Sequence, residues 1–259
     1  MTRNVFITGA SSGLGQALAR RYAAEGATLG LVGRREAVLR ELADTLPGNH
    51  RCYALDVRDR AALHAAAADF LAHCAGKVDV VVASAGISAG TLTGQDEDYA
   101  VFQAIVDTNV TAMVATFEPF IAPMRAARAG RLVGIASVAG IRGLPGAGAY
   151  SASKAAVIRY CESLRVELAG SGIRVVTVAP GYIRTPMTAH NPYRMPFLMD
   201  ADDFALRACA AIERGVSYTV IPWQMGWVAK LLRLVPDWLY DRLARSAPRK
   251  PRQGEGRGG

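Results

Sequence analysis

Asn4-Val5-Phe6-Ile7-Thr8-Gly9-Ala10-Ser11-Ser12-Gly13-Leu14-Gly15 decides the architecture, because three local habits follow one another without a gap. Asn4 to Thr8 reads as a short buried strand. Gly9 to Gly15 is a glycine-rich turn, and from Leu14 the pattern turns helical as far as Glu25, with Gly26 as a stop. A glycine turn between a strand and a helix lets backbone approach a phosphate. The helix start adds unpaired N–H groups and partial positive charge. A second apolar strand, Ala27 to Val32, follows at once, which is the context that separates this turn from an ordinary one.

Working outward, strand-like runs recur at 3–8, 27–33, 51–56, 78–84, 131–137, 173–179 and 217–221. Helical stretches fill the intervals at 14–25, 35–45, 59–74, 97–127, 149–169 and 201–214. Such alternation predicts an α/β fold, a Rossmann-type doubly wound parallel sheet of about seven strands with helices on both faces. A chain of 259 residues is long enough to bury such a core, and no composition break divides it. Residues 1–222 are therefore read as one domain, with a candidate substrate loop at 182–200. An amphipathic helical extension is expected at 223–245, and a disordered basic tail at 246–259.

The bulk chemistry narrows the function. Cys52, Cys74, Cys161 and Cys209 form no Cys-x-x-Cys pair, so buried reduced thiols are expected and no metal site. His50, His64, His73 and His190 are equally scattered, and only His190 falls in the substrate loop. The net charge of +8 is uneven: from Trp223 onward eight basic residues face only Asp237, Asp241 and Glu255. The domain itself is mildly basic, and nothing in it reads as a nucleic-acid module. Met1-Thr2-Arg3 leads straight into the first strand, and no run approaches the roughly 18–20 apolar residues of a spanning helix. A cytoplasmic location is expected, or a peripheral one at the inner membrane face.

Chemistry enters at Tyr150-Ser151-Ala152-Ser153-Lys154. Residues one helical turn apart share a face, so the Lys154 ammonium can lie beside the Tyr150 phenol. A phenol titrates near pH 10, and a fixed neighbouring cation favours its phenolate, bringing it toward catalytic use at neutral pH. Ser137 ends a strand upstream, where its hydroxyl can bond a substrate oxygen and stabilise developing negative charge.

Together these motifs resemble the short-chain dehydrogenase/reductase family, over a stretch from about Asn4 to about Val220. Thr8-Gly9-Ala10-Ser11-Ser12-Gly13-Leu14-Gly15 is similar to that family's cofactor signature. Asp56-Val57 resembles its adenine-contacting pair, Asn109 its mid-chain asparagine, and Pro180-Gly181 its turn facing the nicotinamide. The resemblance implies a catalytic tetrad of Asn109, Ser137, Tyr150 and Lys154. It also implies cofactor contacts from Gly9, Ser11, Ser12, Gly13, Leu14, Gly15, Arg34, Asp56, Val57, Ala85, Gly86, Asn109, Tyr150, Lys154, Pro180, Gly181, Ile183 and Thr185. Lys154 would also hold the nicotinamide ribose, and Asn109 would position a water beside it. The sequence departs from the pattern at Ala83-Ser84-Ala85-Gly86, where the family carries Asn-Asn-Ala-Gly. The Ala-Gly part that approaches the cofactor is kept, and the lost asparagine bears on bracing of the sheet.

The second strand closes on Gly33-Arg34-Arg35 with no carboxylate before Glu36. In the resemblance Gly33 stands where NAD-using members carry Asp, and Arg34 where NADP-using members carry a basic residue. A guanidinium there can pair with a 2′-phosphate, so NADP(H) is expected over NAD(H). The implied reaction interconverts a ketone or aldehyde and an alcohol. The Met and aromatic residues of the substrate loop, Met187, Tyr193, Met195, Phe197 and Met199, suit a lipophilic substrate. A cofactor-binding sensor with little turnover is the alternative, although such proteins typically lose the tyrosine or lysine. Nucleotide-sugar epimerase or dehydratase chemistry would need a larger substrate domain. Family members usually form homodimers or homotetramers, and the same is expected here.

All three tryptophans fall beyond Val220. Trp227, Leu231 and Leu234 or Val235 recur at helical spacing until Pro236 breaks the run. This stripe is expected to pack on the substrate mouth or on a second subunit. The alternative is peripheral contact of 223–245 with an anionic membrane.

Overall fold

The computed structural model describes residues 3–189, 191, 194–246 and 249–252. Seven parallel strands form one sheet in the order β3-β2-β1-β4-β5-β6-β9. They are β1 (Asn4–Thr8), β2 (Thr28–Gly33), β3 (Arg51–Ala54), β4 (Val80–Ala83), β5 (Gly130–Ile135), β6 (Ile173–Pro180) and β9 (Tyr218–Ile221). The chain runs outward from β1 to β3, then crosses back to β4 beside β1, so the strand order reverses there. In open sheets of this kind ligands bind in the crevice outside the strand ends at that reversal. A separate two-stranded ribbon, β7 (Ile183–Arg184) with β8 (Met199–Asp200), closes the base of the substrate loop.

Both sheet faces are covered, which explains why the strands are apolar on consecutive residues rather than alternate ones. Val5, Ile7, Leu29, Leu31, Val80 and Val82 point into one core. There they meet Leu18 and Tyr22 of α1 (Gly13–Ala24), Leu39 of α2 (Glu36–Thr45) and Phe204 and Ile212 of α7 (Ala201–Glu213). Phe6, Val81, Leu132 and Val175 point the other way. They pack on Leu63 and Phe70 of α3 (Arg60–His73), Phe117 and Phe120 of α5 (Ala112–Ala127), and Val157 and Leu164 of α6 (Gly148–Glu167).

The stretch read as one helix over 97–127 is α4 (Asp98–Val106), a π-helical turn (Asp107–Thr111) and α5 in continuous succession. By length and composition Asp98–Ala127 could cross a membrane, with a mean hydropathy of 1.3 in its most apolar window. This corrects the expectation that no run comes close. Phe117, Phe120 and Met124 are buried against the sheet, and that packing accounts for part of the apolar composition, 39% of the window being buried.

Beyond β9 the chain forms α8 (Trp223–Leu234) and α9 (Asp237–Ala244), broken at Val235-Pro236. Met225 and Ala229 face inward and are buried, and Met225 sits against Gly181. In α9, Tyr240 donates to the Gly143 carbonyl at 2.5 Å, and the Arg142 guanidinium stacks 4.2 Å from its ring centroid. Cys161 and Cys209 are buried and free; Cys52 and Cys74 are free but partly exposed.

Candidate functional site

A cleft of about 470 Å³ opens at the strand-order reversal. Its floor is the Gly9–Gly15 turn, and there the glycines answer a geometric demand. Gly9 has φ +72, and a Cβ on it would lie 2.8 Å from the backbone of Ala85. A Cβ on Gly15 would stand 2.3 Å from the Gly9 carbonyl oxygen. Any side chain at either position would therefore push β1, β4 and α1 apart. Ser12 precedes α1 in an extended conformation and its side chain makes no capping bond. The first N–H groups of the helix are thus left for a ligand in the cleft. A glycine cradle, a helix start without a side-chain cap and a basic rim fit a dinucleotide phosphate.

The structure brings nearly all the sequence-predicted residues into this one cleft. Gly9, Ser11, Ser12, Gly13, Leu14, Gly15, Arg34, Asp56, Val57, Ala85, Gly86, Ser137, Tyr150, Lys154, Pro180, Gly181, Ile183 and Thr185 all line it. Asn109 does not. It is buried behind the wall in the π-helical turn, where its amide spans three groups. Its Oδ1 accepts from the Ile87 N–H at 2.9 Å, and its Nδ2 donates to the Ile87 carbonyl at 3.0 Å and to Ser153 Oγ at 2.9 Å. Within the protein, then, Asn109 ties α4–α5 to α6 and to the loop after β4. The sheet bracing questioned at Ser84 is carried partly by Thr8, whose Oγ1 accepts from the Ala85 N–H at 3.3 Å.

Ser137 ends the strand run as expected, and its Oγ accepts from the Ala139 N–H at 3.1 Å, opening a short 3₁₀ turn. Lys154 and Tyr150 share a face of α6, with Nζ 5.7 Å from the ring centroid. Lys154 is only 6% exposed. Its Nζ donates to the Ile135 carbonyl at 2.9 Å, so the last residue of β5 fixes where the charge sits. Burial pushes the ammonium down to about 8. Burial also pushes the Tyr150 phenol up, while the Ser137 hydroxyl beside it acts in the opposite sense. Gly86 is where these groups converge: a Cβ there would meet Asn109 Oδ1 at 3.2 Å and Lys154 Nζ at 3.5 Å.

Sequence reasoning missed several contributors. Arg35 donates to the Ser11 carbonyl at 2.8 Å and to its Oγ at 3.3 Å, holding the floor of the cleft. Arg58 clasps Asp56, with Nη2 2.7 Å from Oδ2, and that hydrogen bond holds the carboxyl below its usual range. Its place two residues after Asp56 was the available signal. In the substrate loop Met187 and Thr188 line the cleft, whereas Met195, Phe197 and Met199 do not. Met199 belongs to β8 and packs on the core with α7, and Phe197 is half exposed. Both were expected to face the substrate. His190 and Tyr193 lie outside the described residues. Among the described residues no cluster of three His, Cys, Asp or Glu comes together.

The basic tail supplies the largest surprise. The tail 246–259 was expected to be largely disordered, yet residues 249–252 lie as a strap over the loop after β4 and the start of α4, beside Tyr150 at the edge of the cleft. The Gly90 N–H donates to the Pro251 carbonyl at 3.0 Å. Arg252 Nε and Nη2 reach the buried Asp98 carboxylate at 2.8 and 3.2 Å, and Nη2 also reaches Glu97 at 2.8 Å. Lys250 Nζ donates to Ser88 Oγ at 2.9 Å and stands 5.9 Å from the Tyr150 ring centroid. The reason is charge pairing that composition alone does not reveal. Residues 253–259 lie outside the described residues.

Comparison with known proteins agrees with this geometry. The sequence model of the family described as short chain dehydrogenase matches residues 3–194. An uncharacterised oxidoreductase of Myxococcus xanthus is 38% identical over 250 residues, covering 94% of this chain and 96% of its own. Sulfoacetaldehyde reductase 2 of Chromohalobacter salexigens is 39% identical over 191 residues, covering 73% and 75%. Among solved structures, 3-ketoacyl-(acyl-carrier-protein) reductase of Brucella melitensis complexed with NADH superposes with a TM-score of 0.77 at 27% identity, covering 85% and 96%. The chain belongs to the short-chain dehydrogenase family, oxidoreductases that act on alcohol and carbonyl groups with a nicotinamide dinucleotide.

Proposed function

We propose that this short-chain dehydrogenase interconverts a lipophilic ketone or aldehyde and its alcohol, with Tyr150 as general acid and base and NADP(H) as the preferred cofactor. One observation carries the reading: Tyr150, Ser137 and Lys154 line the same cleft as the Gly9–Gly15 turn. The dinucleotide, when bound, supplies or accepts hydride at the substrate carbon. Everything else falls to the protein. In reduction the Tyr150 phenol gives its proton to the carbonyl oxygen as charge builds there, and in oxidation the phenolate takes it back. Ser137 donates to that oxygen and steadies the developing negative charge. Lys154, fixed by Ile135, places an ammonium beside the phenol and favours its ionised form against the burial that opposes it.

Preference for the 2′-phosphate rests on the cleft rim. A Cβ on Gly33 would lie 3.1 Å from Ser11 Oγ, which leaves little space for the carboxylate an NAD-binding site places there. Arg34 is exposed at the rim, Arg35 is beside it, and Asp56, the carboxylate that lines the cleft, is already held by Arg58. The Brucella reductase whose structure is complexed with NADH is only 27% identical, so the choice rests on the residues of this chain. The apolar side of the substrate region, Ile183 and Met187 with Met225 behind Gly181, supports a lipophilic substrate.

NADPH consumption against a panel of ketones and aldehydes tests the reading. The Tyr150→Phe variant should lose roughly 10²- to 10⁴-fold in kcat while still binding NADPH. Equal, negligible turnover by wild type and variant across the panel would favour the sensor reading instead.

A further inference from the structure

The helical extension buries one apolar face and leaves a second one open. On α8 and α9, Trp223 is 62% exposed, Trp227 60%, Leu231 63%, Leu234 79% and Trp238 69%. Their spacing sets them along the outward side, opposite the buried Met225 and Ala229. Within the subunit these exposed side chains do not pack on the substrate mouth: α8 turns Met225 toward Gly181 at the cleft, and α9 reaches Gly143 through Tyr240. Large apolar side chains scattered singly on a surface need no explanation, but a continuous line of them on one helical face does.

We infer that this face docks onto a lipid bilayer carrying anionic headgroups. Charge decides between the possible occupants. Lys230 and Arg233 flank the stripe on α8, with Lys230 Nζ 4.9 Å from the Trp227 ring centroid, and Arg242 and Arg245 extend the basic rim along α9. A groove of about 760 Å³ beside the stripe adds Arg165 from α6, next to the Arg159–Glu162 pair. Nearby carboxylates are mostly spoken for: Glu162 is paired with Arg159 at 2.6 Å, and Asp237 with Arg142 at 3.2 Å, leaving Asp241 on α9. A second copy seated on this face would bring the basic side chains of one copy, Lys230, Arg233 and Arg165, onto the equally basic face of the other, a repulsion that grows as water is expelled. An anionic bilayer complements the same charges. It takes the indoles at headgroup depth and the leucines below them, while the basic side chains reach outward to the phosphates. The inference stands on the surface of α8 and α9 and does not rest on the proposed reaction.

The test exploits a convenience of composition, since the protein's three tryptophans all lie on this face and intrinsic fluorescence reports on it alone. The full chain is mixed with vesicles of phosphatidylcholine alone, or of phosphatidylcholine with phosphatidylglycerol, then sedimented and its emission recorded. Binding to the anionic vesicles with a blue shift, quenched by brominated lipid, is expected, with little binding to the neutral ones. The Lys230→Gln/Arg233→Gln variant should bind roughly thirtyfold more weakly, the loss expected for two surface charges. The Trp227→Ser/Leu231→Ser variant should not bind, while its thermal melt and NADPH affinity stay at wild-type values. Absence of binding to either vesicle overturns the inference, as does equal binding to both. Concentration-dependent self-association abolished by Trp227→Ser/Leu231→Ser, without vesicle binding, would assign the face to a second copy and overturn it equally.

Discussion

Lys154 carries a charge into a place that penalises it. The pull from its ordinary value to about 8 corresponds to about 3 kcal/mol of lost stability at neutral pH. The unfolded chain holds this proton up to its ordinary value of 10.5, whereas the folded one releases it near 8. Stability therefore rises with pH across that window, and the penalty is present in full below it. Lys154→Met should raise the melting temperature by a few degrees at pH 7, after allowing about 1–2 kcal/mol for the Ile135 carbonyl it strands. Turnover should fall by at least about 10²-fold. At pH 10 the gain should vanish, and differential scanning fluorimetry at the two pH values checks it; lower melting at both would refute the argument. The Tyr150–Lys154 pair was legible because helical spacing puts both on one face. The shifts themselves were not, since they depend on how deeply α6 buries that face, and Asn109's wedge between Ile87 and Ser153 depends on which loops meet.

Elements with a strong period were read well. The five inner strands lie where consecutive apolar residues put them, because a sheet covered on both faces demands such runs, whereas the edge strands β3 and β9 are partly exposed and carry a weaker signal. The π-helical turn at Asp107–Thr111 was not visible, because its cause is tertiary: one extra residue per turn aims Asn109 inward. The turn from β2 into α2 carries its own prediction. A Cβ on Gly33 would already crowd Ser11 Oγ and Arg34 stands at the rim, so Arg34→Asp should weaken NADPH binding about 10- to 10²-fold through loss of a charge-assisted contact, leaving NADH binding little changed. Titration calorimetry with both dinucleotides measures this. Indifference toward NADPH would remove Arg34 from the site.

On the scale of the whole molecule, the substrate side of the cleft is built from distant parts of the chain. Gly90, Asp98 and Tyr150 belong to the domain, and Lys250 to Arg252 arrive from beyond α9. Composition marked that segment as solvated, since proline, glycine and basic residues carry no apolar signal; the buried Asp98 that receives it was legible only in three dimensions. A chain truncated after Arg245 should melt at a lower temperature than the full chain, and Arg252→Gln should reproduce most of the loss. The Arg252 guanidinium, with the Leu92 N–H, holds the Asp98 carboxyl below its usual range. Its contribution is thus present above the ordinary carboxylate value and disappears as pH falls through the depressed one. Thermal melts of the two variants at neutral and acid pH check both statements, and the difference should shrink in acid.

The strap also sets an order of events. A nascent chain can lay down every strand of the sheet once Ile221 has emerged, while Lys250 and Arg252, farther along the chain, have yet to reach Ser88 and Asp98. During synthesis the cofactor crevice can form before its mouth is dressed, and a fusion partner joined just after Ala244 would leave it undressed for good.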